Sequence, residues 1–198
     1  GMEIRNVDGT NISDITADKA KEVLKKLEDK GLRVWSMGSP IGKININEAF
    51  EEHLEKFGTL ENFAEKNILH INDTHCSWVI PELMRLLMDE YQLGWDKSWE
   101  ITKNSVTYTN HTVLQEAMEK WDCGMVKILL PRIYMIIEEL NKRQNETWEK
   151  AIIKDGLIYT ANMLVETAFS VNGVASLHSD IIRDVTFKEF AEKFPHKF

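Results

Sequence analysis

Two short apolar runs, Ile68–Ile71 and Ser105–Thr109, each end in a small polar cluster that carries a histidine: Asn72-Asp73-Thr74-His75 after the first, Thr109-Asn110-His111 at the second. Between them Val79, Leu83, Leu86 and Leu87 recur at helical spacing. Strand-length runs alternating with helical patterns predict parallel strands joined by helical crossovers. In such sheets ligands gather just outside the carboxyl ends of the strands. If the two strands are neighbours, His75 and His111 stand at one rim, and that rim is the edge of a cleft. The predicted fold class is therefore α/β, a three-layer αβα arrangement around an open, mostly parallel sheet.

The rest of the chain extends this pattern. Glu3–Val7 reads as a strand followed by the turn residues Asp8-Gly9-Thr10-Asn11. Thr16 is placed to cap a helix with Ala20, Val23, Leu24 and Leu27 on one face, and Gly31 suits its stop. Leu32–Met37 reads as the next strand. Asn47 caps a second helix carrying Phe50, Leu54 and Phe57, closed by Gly58. Four strands, Glu3–Val7, Leu32–Met37, Ile68–Asp73 and Ser105–Thr109, would share one parallel sheet. Further on, Asp96–Lys103 reads as a helix anchored by Trp95 and Trp99, and a short helix is expected around Glu116 and Glu119. Met125–Trp148 reads as a long helix that Pro131 either kinks or starts. Leu157–Phe169 is apolar on several faces and reads as a buried element, a helix in preference to a strand, broken from the next by Asn172-Gly173.

Charge and composition remove several function classes. The 24 basic and 32 acidic residues leave a net charge of −8, which disfavours nucleic acid or an anionic membrane as partner. No apolar run approaches a membrane span, and no signal peptide is visible. Cys76 and Cys123 form no Cys-x-x-Cys pair, which suits a reducing, cytoplasmic setting. Several residues have a structural reading beside the functional one. Asp73 and Asn110 are common helix caps, His70 suits a core edge, and Trp95 and Trp99 suit packing. Asp73, His75 and His111 are also residue types that bind zinc, but the further ligands that would complete a zinc site are not evident. Gly38-Ser39-Pro40-Ile41-Gly42 lacks the glycine spacing and lysine of a phosphate loop.

From about Gly58 to Phe198 the words GTLENFAEKNILHINDTH, IPELMRLLMDE, WDKSWEIT, YTNHTVL, EAMEKW, LLPRIYMIIEELN, SVNGVASLHSDI and FKEFAEKFPHKF resemble the α-glucan phosphorylases in order and spelling. The resemblance implies a Rossmann-like half of a two-domain glycosyltransferase fold that moves a glucosyl unit from an α-1,4-glucan to phosphate. It further implies that His111 contacts the hydroxymethyl group of the transferred glucose. Asp73 and His75 are implied to line the glucan side of the cleft, and Asn172 to lie near the active site. Cys76 stands where many members have proline, and Phe169 where many have histidine. The family's cofactor, pyridoxal phosphate, is held by a lysine in a C-terminal domain to which nothing here corresponds. No cofactor is therefore expected in these 198 residues, and no phosphorolysis from them alone.

Residues 1–57 do not continue that resemblance. EIRNVDGTNISD, KGLRVWSMGSPIGKI and NEAFEEHLEKF resemble a strand–helix–strand piece of sugar-phosphate isomerase TIM barrels, so the chain reads as a fusion of a 1–57 unit and a 58–198 unit. A non-catalytic carbohydrate-binding or purely structural module, and a remnant of a metal-dependent sugar isomerase, remain as alternatives. Unfinished sheet edges predict self-association into a homo-oligomer.

Overall fold

The computed structural model describes residues 2–4, 6–11, 17–31, 34–37, 46–144 and 149–198. The chain divides into two compact units, Gly1–Ala49 and Phe50–Phe198. The expected cap Thr16 and the loop Gly38–Gly42 lie outside the described residues.

In the first unit, β1 (Met2–Ile4) runs parallel to a later strand, Val34–Met37, with Glu3 opposite Ser36 and Ile4 opposite Met37. Between them β2 (Asn6–Val7) and β3 (Thr10–Asn11) form an antiparallel hairpin. Asp8 and Gly9 at its tip both have positive φ, +50° and +82°, the backbone that a two-residue hairpin turn matched to strand twist requires. α1 (Ala17–Glu28) places Asp18 in its first turn and Lys25 and Lys26 in its last, in accord with the helix dipole. β4 is Val34–Met37.

α2 (Ile46–Phe57) starts one residue before Asn47, so Asn47 lies inside the first turn and is not the cap. From Phe50 onward this helix belongs to the second unit. Phe50 meets Phe63 and Tyr91 edge-to-face at 4.7 and 5.4 Å. Buried His53 has both ring nitrogens engaged, with Asn62 Oδ1 and Asn67 Nδ2, each at 2.9 Å. α3 (Phe63–Lys66) leads into β5 (Leu69–Asn72), α4 (Val79–Arg85), a π-helical turn (Leu86–Glu90), α5 (Trp95–Ser105) and β6 (Val106–Asn110). Gln115–Ala117 is a 3₁₀ turn, and β7 is Lys120–Asp122. α6 (Cys123–Leu129) is capped by Asp122, whose carboxylate accepts from the Met125 N–H at 2.7 Å. α7 (Pro131–Arg143) begins at its proline, so Pro131 marks a true start and the long helix expected over 125–148 is two helices.

The remaining elements are β8 (Ile153–Lys154), β9 (Leu157–Tyr159), α8 (Thr160–Thr167), β10 (Ser170–Gly173), α9 (Ser176–Ile181), a π-helical segment (Ile182–Thr186), α10 (Lys188–Lys193) and a 3₁₀ turn (Pro195–Lys197). The segment 157–169, expected as one helix, is thus a short strand and then a helix. Glu119 stands outside any helix.

The central sheet is parallel and three-stranded, in the order β10-β6-β5. This corrects the four-stranded sheet expected from the sequence. Among the described residues, β1 and β4 pair with each other, and the third strand beside β6 is Ser170–Gly173, a stretch the sequence reading took for a helix break. A second sheet, antiparallel in the order β7-β9-β8, was not anticipated. One face of the central sheet carries Ile71, Val106, Tyr108 and Val171, all buried. They join Ile80 and Met84 of α4, Ile133, Ile136, Ile137 and Leu140 of α7, and Met163 and Leu164 of α8 in one apolar core. The architecture is α/β, helices packing around a parallel sheet. Among the described residues no helix is long and apolar enough to cross a membrane.

Gly173 ends β10 against α9 at very close range. A Cβ there would lie 2.8 Å from the His178 carbonyl carbon and from the Ser179 nitrogen. Backbone atoms cannot swing aside, so Gly173→Ala is expected to cost about 1–3 kcal/mol. A chemical-denaturation midpoint unmoved by this change would show that α9 can yield.

Candidate functional site

Parallel pairing puts the carboxyl ends of β5, β6 and β10 at one rim. Asn72, Thr109 and Asn172 are register partners across it. Period-two alternation sends the apolar residues of these strands into the core and turns His70, Asn72, Thr107, Thr109, Ser170 and Asn172 to the other face. On that face a hydrogen-bonded row crosses the sheet. Thr109 Oγ1 donates to Asn172 Oδ1 at 3.0 Å, and His70 Nε2 lies 2.9 Å from the same hydroxyl. With the hydroxyl proton spent on Asn172, His70 is the donor. Partial burial, and then the nearby His111, push the His70 pKa below its ordinary value, which keeps it neutral.

His111, exposed just past β6, bonds through Nε2 to Asn72 Oδ1 at 2.7 Å and so ties its own strand tip to that of β5. Asn110 is fully buried; its Oδ1 accepts from the Thr112 N–H at 2.8 Å and its Nδ2 donates to the Tyr108 hydroxyl at 2.8 Å. It is a turn former here and caps no helix.

Asp73 continues the β5 ladder by one bond, its N–H donating to the Thr109 carbonyl at 2.9 Å, and then turns sharply with φ +62°. A left-handed backbone at a non-glycine residue is uncommon, although Asp tolerates it better than most. Its Oδ1 accepts from the Thr74 N–H at 2.9 Å, which supports the turn locally. α4 begins only at Val79, so Asp73 does not cap it. The turn delivers His75 to Glu119: Nδ1 lies 2.5 Å from Glu119 Oε1, while Nε2 is 4.0 Å from Asp73 Oδ2. The hydrogen bond and charge of Glu119, with a smaller contribution from Asp73, raise the His75 pKa above its ordinary value.

Of the residues singled out from sequence, Asp73 and His75 thus form a cluster with Glu119, while His111 is anchored to Asn72 and Asn172 to Thr109. All stand at the carboxyl ends of the central sheet. Among the described residues no set of three His, Cys, Asp or Glu side chains is disposed to hold a metal.

Glu119, Asn72 and Thr109 were met in the sequence but not singled out as site residues. For Asn72 and Thr109 the signal was present, since both lie two residues along the polar face from His70 and Thr107. Glu119 offered none, being 44 residues from His75. Its place is set by β7, whose Lys120 pairs with Tyr159, and by Thr160, whose hydroxyl and N–H both donate to the Glu119 carbonyl. Beside Glu119 a cavity of about 160 Å³ is lined among others by Lys120, Lys150, Lys154, Tyr159 and Asn162. That is smaller than the roughly 300 Å³ at which ligand clefts usually begin.

A family profile described as carbohydrate phosphorylase matches residues 43–198, beginning upstream of Gly58. Glycogen phosphorylase of Bacillus subtilis (strain 168) is 43% identical over 152 residues, covering 71% of this chain and 19% of that protein. The H isozyme of α-glucan phosphorylase from Solanum tuberosum is 43% identical over 152 residues, covering 69% and 18%. The muscle form of glycogen phosphorylase from Ovis aries is 39% identical over 165 residues, covering 72% and 20%. The chain thus spans about a fifth of the length of the curated relatives it matches. With the profile extending over most of its residues, the chain belongs to the carbohydrate phosphorylase family.

Proposed function

We propose that this chain supplies the sugar-facing rim of an α-glucan phosphorylase, an enzyme that transfers glucosyl units from an α-1,4-glucan to inorganic phosphate in the cytoplasm. The observation that carries the reading is the gathering of Asp73, His75 and His111 at the carboxyl ends of adjacent parallel strands. In this reading His111 contacts the hydroxymethyl group of the sugar, Asp73 and His75 line the glucan path, and Asn172 holds the rim through Thr109. The exposed donors and acceptors there suit hydroxyl groups.

In this reading pyridoxal phosphate is held elsewhere in the enzyme. Lys197, whose amine is pushed down to about 8, is buried and donates to two backbone carbonyls, so it is not presented to an aldehyde. No chemical step is therefore assigned to these residues. For the N-terminal unit we propose a structural role and an origin in a sugar-isomerase barrel. The outer edges of β5 and β10, unpaired among the described residues, together with exposed Ile128, Leu129 and Met135, favour self-association.

The purified chain is expected to bind maltoheptaose weakly, with NMR shifts confined to the 72–75 and 109–111 loops, and to release no glucose 1-phosphate from glucan and phosphate when pyridoxal phosphate is added. Release of glucose 1-phosphate would refute the predicted inactivity. Shifts elsewhere, or none, would refute the sugar-binding role.

A further inference from the structure

We propose that Glu119 is a positioning residue for His75, fixing the proton on Nδ1 in both charge states of the ring so that Nε2 alone changes from donor to acceptor toward the cleft. The proposal rests on the reading of the rim as a glucan-binding edge and names how that edge responds to pH and what it selects.

His75 has a side chain 72% exposed, and such a ring would ordinarily turn freely. Here Nδ1 is held 2.5 Å from a carboxylate oxygen. The holder is itself fixed from elsewhere in the fold. Its carbonyl accepts from Thr160 Oγ1 at 2.8 Å and from the Thr160 N–H at 3.3 Å, and the next residue is paired into β7–β9. Glu119 therefore presents its carboxylate from a pinned backbone to a residue carried by a different loop. An ionised carboxylate only accepts, so Nδ1 keeps its proton whether the ring is imidazolium or neutral. The charged groups that face the ring are Glu119 and Asp73, and both favour the imidazolium.

Nε2 is the atom left over. At 4.0 Å from Asp73 Oδ2 it is beyond hydrogen-bond distance, so a ligand can take it. A sugar hydroxyl both donates and accepts and so satisfies Nε2 in either state. An oxygen of a fully ionised phosphate only accepts, matches the imidazolium alone, and meets an Asp73–His75–Glu119 trio whose net charge is −1 even when the ring is protonated. The trio therefore selects uncharged glycosyl hydroxyls over anionic sugars, and raising the pH through the His75 titration reverses the direction of the sugar hydrogen bond without abolishing it.

The test is ¹⁵N and ¹³C NMR of the His75 ring in the full chain from about pH 5 to 9, with Glu119→Gln removing the charge and Glu119→Ala removing the acceptor, each checked for retained amide dispersion. The wild-type ring is expected to titrate above the ordinary histidine value and to show a single Nδ1–H tautomer when neutral. The midpoint should fall in both variants, and in Glu119→Ala the tautomers should become mixed. Maltoheptaose affinity, followed at His75, should weaken in Glu119→Ala, where the ring loses its anchor and turns freely, and less in Glu119→Gln, which keeps an acceptor oxygen. A midpoint and tautomer that ignore Glu119 overturn the proposal. A locked tautomer that falls apart in Glu119→Ala, in a protein whose His75 and His111 ignore maltoheptaose, upholds the lock and overturns only the sugar reading.

Discussion

Tyr108→Ala is expected to destabilise the second unit by about 4 kcal/mol, the usual result of removing a large aromatic ring from a packed core. Tyr108 sits in the middle strand of the central sheet with no exposure and packs against Phe187 at 6.4 Å. Its hydroxyl also accepts from the Asn110 side chain, a buried donor that shapes the loop leading to His111. The alanine variant therefore leaves a cavity and an orphaned amide together. Tyr108→Phe keeps the ring and loses only the acceptor, so its cost should be about 1–2 kcal/mol. For a chain of this length each kcal/mol moves the melting temperature by roughly 2–4 °C, which places the alanine variant roughly 8–16 °C below the parent. Trp78 and Trp121, edge-to-face at 5.6 Å within the same unit, report its unfolding by fluorescence. A urea midpoint for Tyr108→Ala indistinguishable from that of Tyr108→Phe would show that the ring is not the keystone of this core.

The parts of the fold that sequence disclosed are those in which local pattern and tertiary role coincide. β5 and β6 are apolar runs whose ends turn polar, and helical periodicity between them forces the parallel crossover, so both histidine loops were legible at one rim. Pro131 was legible as a helix boundary because its ring suits only the first turn. β10 was lost because four residues between two helices give little periodicity, and Ser170 and Asn172 face the polar side of the sheet. The hairpin of β8 and β9 does carry a signal in the sequence. Asp155-Gly156 carries the same two positive φ angles as Asp8-Gly9, +52° and +73°, and Asp-Gly between apolar residues is a strong short-range mark of a hairpin. Glu119 illustrates the opposite limit. Its partner is distant in sequence, and tertiary packing, with Trp121 of β7 against Trp78 beyond β5, brings the two together, so no spacing rule could have found it.

The second large effect concerns the buried ammonium of Lys197. Nζ donates to the carbonyls of Val165 and Glu166 at 3.0 and 2.6 Å, groups that the end of α8 leaves without helical partners. It also lies 4.4 Å from the centre of the Phe194 ring. Burial pushes its pKa down to about 8; Glu166 opposes the shift, and Lys193 and Lys103 add to it. The folded value is thus below the 10.5 of an unperturbed lysine. Between these two values the unfolded chain binds more protons than the folded one, so this group makes stability rise with pH across the window. The gain from pH 7.5 to 9.5 is expected to be about 2 kcal/mol, within the upper bound of about 3.4 kcal/mol set by 1.36 kcal/mol per pH unit over the whole gap. Cys123, raised by its own burial, works in the opposite direction over the same range, since its thiol ionises earlier in the unfolded chain. The comparison with Lys197→Met removes that contribution, because both proteins carry the thiol. The methionine variant should lose the upward slope of denaturation free energy with pH whatever its absolute stability, and equal slopes in the two proteins would show that Lys197 keeps an ordinary pKa at the end of α8.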